Sequence, residues 1–206
     1  MRVNLVFSPQ IIPVISSRDL FPKTLNQSSL LGEGVEIGVL QASFSEWILE
    51  HWKGDCLHSI DPWLHFSDGS YVDGHNLSDS NHEEHYRIAC EKLSPFGHRS
   101  KIHRKRSEEA APDFLDGSLD FVYIDAQHHY EAVRDDIARW YPKVKVGGII
   151  GGHDFFKDGD YPFGRFGVQR AVIEFATEQR CDILVSEETV SPPFEAPSWF
   201  IVKATS

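Results

Sequence analysis

Three cysteines, one methionine and a shortage of basic residues set the first limits on this chain of 206 residues. Cys56, Cys90 and Cys181 are odd in number, far apart, and have neither zinc-finger nor dithiol-redox spacing. That usage predicts reduced thiols, a cytoplasmic location and a core that needs no disulfide staples. Lys and Arg number 20 against 31 Asp and Glu, a net charge of −11, so a nucleic-acid partner is not expected. The single basic cluster, Arg99 to Arg106 (RSKIHRKR), is short, contains a predicted strand and reads as a solvated edge and turn. No apolar run approaches the length of a membrane span, and no membrane partner is expected. The stretch 1–15 is apolar, but Pro9 and Pro13 break it and no small-residue cleavage site follows, which is unlike a signal peptide. Internal repeats and linkers are missing too. The length suits one domain, read as 32–206, preceded by a segment 1–31 that covers a site or serves an interface, including one in a homo-oligomer.

What is present is an alternation of strand and helix signals at the rhythm of a parallel α/β sheet. Strands are predicted at Val35–Val39, Cys56–Ile60, Lys101–His103, Asp120–Ile124, Gly148–Gly152, Asp182–Ser186 and Trp199–Lys203. The proline-rich loop Thr189–Pro197 before the last of these is compatible with an antiparallel return. Helices are predicted from about Phe44 to Trp52, after Ser80 as far as Leu93, from Tyr130 to Trp140, and from Val168 to Arg180. Ser43 with Glu46, and Ser80 with Glu83, have the spacing of capping boxes. Pro95, Gly97 and Pro142 close helices.

The most informative stretch is Val35 to Ser45, VEIGVLQASFS. An apolar run ends in an acid, Glu36, then a glycine, Gly38, and a helix begins at once. Such a junction lets a nucleotide-like ligand approach the backbone and the helix start. Gly38, Ala42 and Ser45 follow a G-x-x-x-[GA]-x-x-S pattern; the dinucleotide fingerprint G-x-G-x-x-G is absent. Open parallel sheets bind ligands at the carboxyl ends of their strands, and acids recur there: Glu36, Asp61, Asp125 and the pair His153-Asp154. Asp61 can accept hydrogen bonds from ribose hydroxyls, and Trp63 can stack on a base. Each acid by itself could equally be a helix cap or turn residue.

In combination, GVEIGVLQASFS (34–45), IDPW (60–63), SEEAAPDFLDGSLDFVYIDAQHHY (107–130) and GGIIGGHDF (147–155) resemble class I S-adenosylmethionine-dependent methyltransferases. The similarity is to their small-molecule O-methyltransferase branch, which includes catechol and macrolide-sugar O-methyltransferases. The resemblance implies a Rossmann-like α/β fold, a mostly parallel seven-stranded sheet in order 3-2-1-4-5-7-6 with helices on both faces and strand seven antiparallel. It also implies that Glu36 and Gly38 line the methionine portion of the donor, Asp61 the ribose, and Trp63 and Ser107 the adenine end, with Ser45 and Asp125 in the same cofactor site. Ala42 replaces a usual second glycine, and His153 stands where many relatives carry an acid.

Methyl transfer from a sulfonium is an in-line displacement that needs an aligned, deprotonated acceptor. Asp125 and His153-Asp154 lie one crossover apart, so their side chains can meet above the sheet. In the resembling metal-dependent enzymes these positions hold a divalent cation. Asp125 and Asp154 suit Mg²⁺, whereas His153 favours a transition ion. His128 has an ordinary pKa near 6.5 and is the expected general base. His82 and His85 are read as helix surface rather than a zinc pair. Phe155, Phe156, Tyr161, Phe163 and Phe166 mark a loop expected to meet the acceptor, a small molecule bearing a hydroxyl. A nicotinamide-dependent oxidoreductase and a non-catalytic module of the same fold are the alternatives.

Overall fold

The computed structural model describes residues 9, 11–15, 17–69, 71, 73–187 and 196–204. Positions 1–8, 10 and 16 of the first segment and 189–195 of the proline-rich loop therefore lie outside the described residues.

Ten strands and six α-helices follow the chain: β1 Ile11–Ile15, α1 Phe21–Gln27, β2 Glu33–Ile37, α2 Ser43–His51, β3 Cys56–Ile60, α3 Asp79–Leu93, β4 Ser100–His103, α4 Ser107–Ala110, β5 Leu119–Ile124, α5 Tyr130–Trp140, β6 Val144–Gly152, β7 Gly159–Tyr161, β8 Gly164–Phe166, α6 Val168–Gln179, β9 Ile183–Ser186 and β10 Trp199–Val202. The main sheet runs β4-β3-β2-β5-β6-β10-β9-β1. Counted from β2, this is the expected order 3-2-1-4-5-7-6. β10 is antiparallel to both neighbours, so the chain does return in the direction that the loop allowed. The eighth strand is new: β1 extends the edge in parallel with β9, pairing Ile11 with Ile183 and Leu184 with Ile12.

Period-two alternation sends successive side chains of the buried strands to opposite faces. Val35, Ile37, Val122 and Ile124 pack with Val133, Ile137 and Trp140 of α5 and Val172 of α6. Phe121, Tyr123 and Ile149 point the other way, against Phe21 of α1 and Phe44, Ile48 and Trp52 of α2. The Phe21 ring meets Phe121 edge-on at 5.3 Å and stacks on Phe200 at 5.0 Å.

Local details differ from the sequence reading. β2 ends at Ile37 rather than Val39 because Gly38 turns at φ +85°, and the Val39 amide leaves the ladder for Asp61. Neither predicted capping box forms. α2 is entered through left-handed Ala42, placing Ser43 inside the first turn, where its hydroxyl accepts from Lys92 Nζ at 3.0 Å. α3 is capped by Ser78, whose hydroxyl accepts from the Asn81 amide at 3.4 Å. The aromatic stretch after β6 is a two-stranded ribbon, β7–β8, rather than a loop. Arg99 is half-buried rather than a free solvated charge: its guanidinium donates to the carbonyls of Leu49, Trp52 and Gly54 at the end of α2. Among the described residues, no helix is long and apolar enough to cross a membrane.

Candidate active site

The tips of β2, β3, β5 and β6 open on one cavity of about 640 Å³. Glu36, Gly38, Asp61, Trp63, Ser107, Asp125, His128, His153 and Asp154 all line it. The acids that the sequence placed at separate strand ends therefore share one hollow. Ser45 does not reach it. Fully buried behind Glu36, Ser45 donates its hydroxyl to the Glu36 carboxylate and lies 2.9 Å from Ser59 Oγ. α2 points Ser45 into the sheet, where it supports the acid from behind the cavity wall.

Gly38 is needed for packing as well as access. An added Cβ would fall 2.0 Å from the carbonyl oxygen of Asp125, at a φ that side chains rarely adopt. Asp61 organises the same turn: Oδ2 accepts from Val39 N at 2.9 Å and Leu40 N at 3.0 Å, and Oδ1 from Trp63 N at 2.7 Å. Trp63 is not an open stacking platform. Its ring is 1% exposed and packs on Tyr86, and its indole N–H donates to Leu40 O at 2.7 Å. At that end the cavity wall includes Phe66, beneath the Arg106 guanidinium at 4.6 Å. Ser107 spends its hydroxyl on buried Asp136 at 2.5 Å and accepts from Trp140 Nε1 at 2.8 Å. Leu40, Ala42, Trp63 and Asp154 all have positive φ at these strand tips, a concentration of backbone strain typical of functional sites.

Burial pushes the Glu36 carboxyl up to about 8, against the lowering effect of the Ser45 hydrogen bond. The opposite corner of the cavity is crowded with charge. His128 Nε2 lies 3.0 Å from Asp154 Oδ2 and 3.8 Å from Asp125 Oδ1, and His128 Nδ1 is 2.5 Å from Asp73 Oδ2. Burial disfavours the His128 cation, but the adjoining carboxylates of Asp125, Asp154 and Asp73 outweigh it and hold the imidazole well above its ordinary value. The carboxylates around it therefore favour the protonated imidazole. Burial opposes charge on Asp154 and Asp73 as well, yet their histidine hydrogen bonds keep both carboxyls below the usual range.

Among the described residues, Asp125, His128 and Asp154 offer donor atoms within 4.8 Å of one another. This differs from the expected set of Asp125, His153 and Asp154. His153 lies at the same corner, its Nδ1 3.4 Å from Asp154 and 3.9 Å from Asp125. The left-handed turn at Asp154 directs its carboxylate toward the start of α5, where His128 sits. The donor set suits a divalent cation: two hard carboxylates and an imidazole whose buried Nε2 has no aligned hydrogen-bond partner.

Three contributors carried no readable signal. Arg18 donates to Asp125 Oδ2 at 3.2 Å and lies 4.7 Å over the Phe44 ring, yet it comes from a segment without a motif. Asp73 lies in a Gly-, Ser- and Asp-rich stretch that reads as a connection. His82, expected on a helix surface, is buried and lines the cavity.

Residues 35–155 match the protein family described as "Methyltransferase domain". The fold is shared with solved structures of low sequence identity. The O-methyltransferase from Bacillus cereus, in complex with SAH, has 16% identity and a TM-score of 0.65 over 90% of this chain and 80% of that one. The O-methyltransferase TomG from Streptomyces achromogenes, in complex with SAM, has 14% identity and a TM-score of 0.60 over 90% and 79%. An rRNA methylase from Streptococcus thermophilus has 9% identity and a TM-score of 0.61 over 93% and 100%. A curated relative, the uncharacterized protein y4gI of Sinorhizobium fredii, is 31% identical over 72 residues, which are 35% of this chain and 8% of that protein. The family match spans more than half of the chain and includes Glu36, Asp61, Asp125 and Asp154: the chain belongs to the methyltransferase domain family.

Proposed function

We propose that this chain transfers a methyl group from S-adenosylmethionine to a hydroxyl of a small molecule. The supporting observation is the gathering of Glu36, Asp61, Asp125, His128 and Asp154 on one cavity of about 640 Å³, within the usual size range of small-molecule sites. The donor supplies a sulfonium methyl, so the chain must fix the donor, align the acceptor and take up a proton. Asp61 keeps lone-pair capacity for a ribose hydroxyl after its three amide bonds, and Glu36 faces the amino-acid portion. Phe66 with Arg106 offers the adenine end a flat apolar surface.

Asp125, His128 and Asp154 would hold a divalent cation such as Mg²⁺ or Mn²⁺, whose chemistry is to lower the pKa of an acceptor hydroxyl. The raised His128 pKa supports this assignment, because it reflects excess negative charge around one imidazole. In a second reading no cation is bound, and the deprotonated form of His128 takes the acceptor proton at Nε2, so that the raised pKa shifts activity toward higher pH. Removing and restoring divalent ions in a methyl-transfer assay separates the two.

A small acceptor rather than a nucleic acid is supported by the net charge of −11 and by the pairing of Arg104 with Glu83 and Lys105 with Asp113. The β7–β8 ribbon, with Tyr161, Phe163 and Phe166 in mutual ring contact, is assigned to the acceptor side. Segment 1–31 contributes Arg18 to the cavity wall. Three thiols without disulfide partners accord with a cytoplasmic location.

The test is thermal stabilisation by S-adenosylhomocysteine, NAD, Mg²⁺ and Mn²⁺. Stabilisation by S-adenosylhomocysteine, and none by NAD, is the expected result; the reverse pattern refutes the assignment.

A further inference from the structure

Asp73 lies on the connection between β3 and α3, downstream of Asp61, and its side chain is only 5% exposed. Side-chain and backbone contacts fix it there. Its Oδ2 sits 2.5 Å from His128 Nδ1. Its Oδ1 accepts from the His75 amide at 2.9 Å, and His75 Nδ1 lies 3.2 Å from the same oxygen. Its backbone bridges Gly164 of β8, and the neighbouring Gly74 amide donates to Phe163 O at 2.9 Å.

The imidazole of His128 is gripped from other sides as well. The Phe166 ring stacks on it at 4.7 Å and 12°, and the Gly167 amide donates to the His128 carbonyl at 2.8 Å. Loop, ribbon and histidine thus form one locked unit in which, among the described residues, Asp73 is the charged contact to Nδ1. A carboxylate at Nδ1 keeps the proton on that nitrogen and aims Nε2 at whatever the opposite side presents. Here that side holds Asp125 and Asp154.

We infer that Asp73 is a positioning residue for methyl transfer: by accepting the Nδ1 proton of His128 it aims Nε2 at the Asp125–Asp154 corner, and through Gly164 it couples that orientation to the aromatic ribbon. The inference rests on the proposed methyltransferase reading. It holds whether Nε2 meets a cation or the acceptor proton. Asp73 itself touches neither donor nor acceptor in this assignment.

The test combines a spectroscopic and a kinetic readout on the full chain. In ¹⁵N-labelled protein, His128 should show a low-field Nδ1–H proton resonance, identified by its coupling to Nδ1 and by its loss in His128→Asn. Asp73→Asn should abolish or strongly shift that resonance and lower kcat about 10- to 100-fold, the usual cost of losing such an orienting partner. The KM for S-adenosylmethionine and the binding of S-adenosylhomocysteine should stay within about twofold, since the ribbon side does not hold the donor in this reading. A wild-type protein lacking the resonance, or an Asp73→Asn variant that keeps both the resonance and full kcat, overturns the inference. Should Asp73→Asn fail to fold, the wild-type spectrum alone still decides whether the pairing exists. Failure of the function itself would show separately, as a wild type that does not bind S-adenosylhomocysteine.

Discussion

Replacing Asp61 with asparagine separates a ligand contact from a structural one. The carboxylate satisfies three backbone amides, Val39 and Leu40 on one oxygen and Trp63 on the other. An asparagine has one acceptor oxygen, so whichever way it turns, at least one amide faces an NH₂ group. Losing a hydrogen bond to a charged acceptor and leaving its donor unpaired together cost about 2–4 kcal/mol. For a chain of this size that lowers the melting temperature by about 5–12 °C. The measurement is calorimetric melting of wild type and Asp61→Asn with no ligand present, followed by titration with S-adenosylhomocysteine. Both stability and affinity should fall, because the turn that Asp61 holds also forms the cavity wall. An unliganded melting temperature within about 2 °C of wild type would refute the anchoring role and leave Asp61 as a ligand contact alone.

Three further outcomes follow from the same geometry. Burial holds Glu36 at about 8, so the folded state binds an extra proton and stability should decline as pH rises from about 4.5 through 8; in Glu36→Gln, melting curves across that window should lose this decline, and proton release on binding S-adenosylhomocysteine, read by calorimetry in two buffers, should vanish. Gly38→Ala drives a Cβ to 2.0 Å from the Asp125 carbonyl and should lower stability by more than about 3 kcal/mol in urea unfolding, against the roughly neutral change of an unconstrained glycine. His58 is buried beside His103, with ring nitrogens 2.9 Å apart, and burial depresses its pKa to about 4, so stability should fall as pH drops from about 6.5 toward 4; His58→Gln should flatten that acid limb in thermal melts.

The order of elements was legible because its signals are local. Apolar runs of four to six residues, ended by acids or glycine, located the seven strands common to the expected fold, and β3 and α5 have the predicted boundaries. Boundaries slipped where backbone hydrogen bonds are captured by distant side chains, as when Asp61 takes the Val39 amide. Helix starts slipped where left-handed Ala42 and Ser78 displaced serines with equally good spacing. The acids at the strand ends were legible in the same way, since position along a strand fixes which end of the sheet a residue occupies.

Residue order determined that Glu36, Asp61, Asp125 and Asp154 would gather at the carboxyl end of a parallel sheet, because its strands all run the same way and their last residues lie at one end. Which of them touch, and what surrounds them, was decided by the tertiary structure. Asp73 meets His128 across 55 residues and Arg18 meets Asp125 across 107, encounters set by how loops cross the rim and carrying no periodic trace. The charge on His128 likewise depends on three carboxylates from different elements, so its titration belongs to the assembled site and not to the residue.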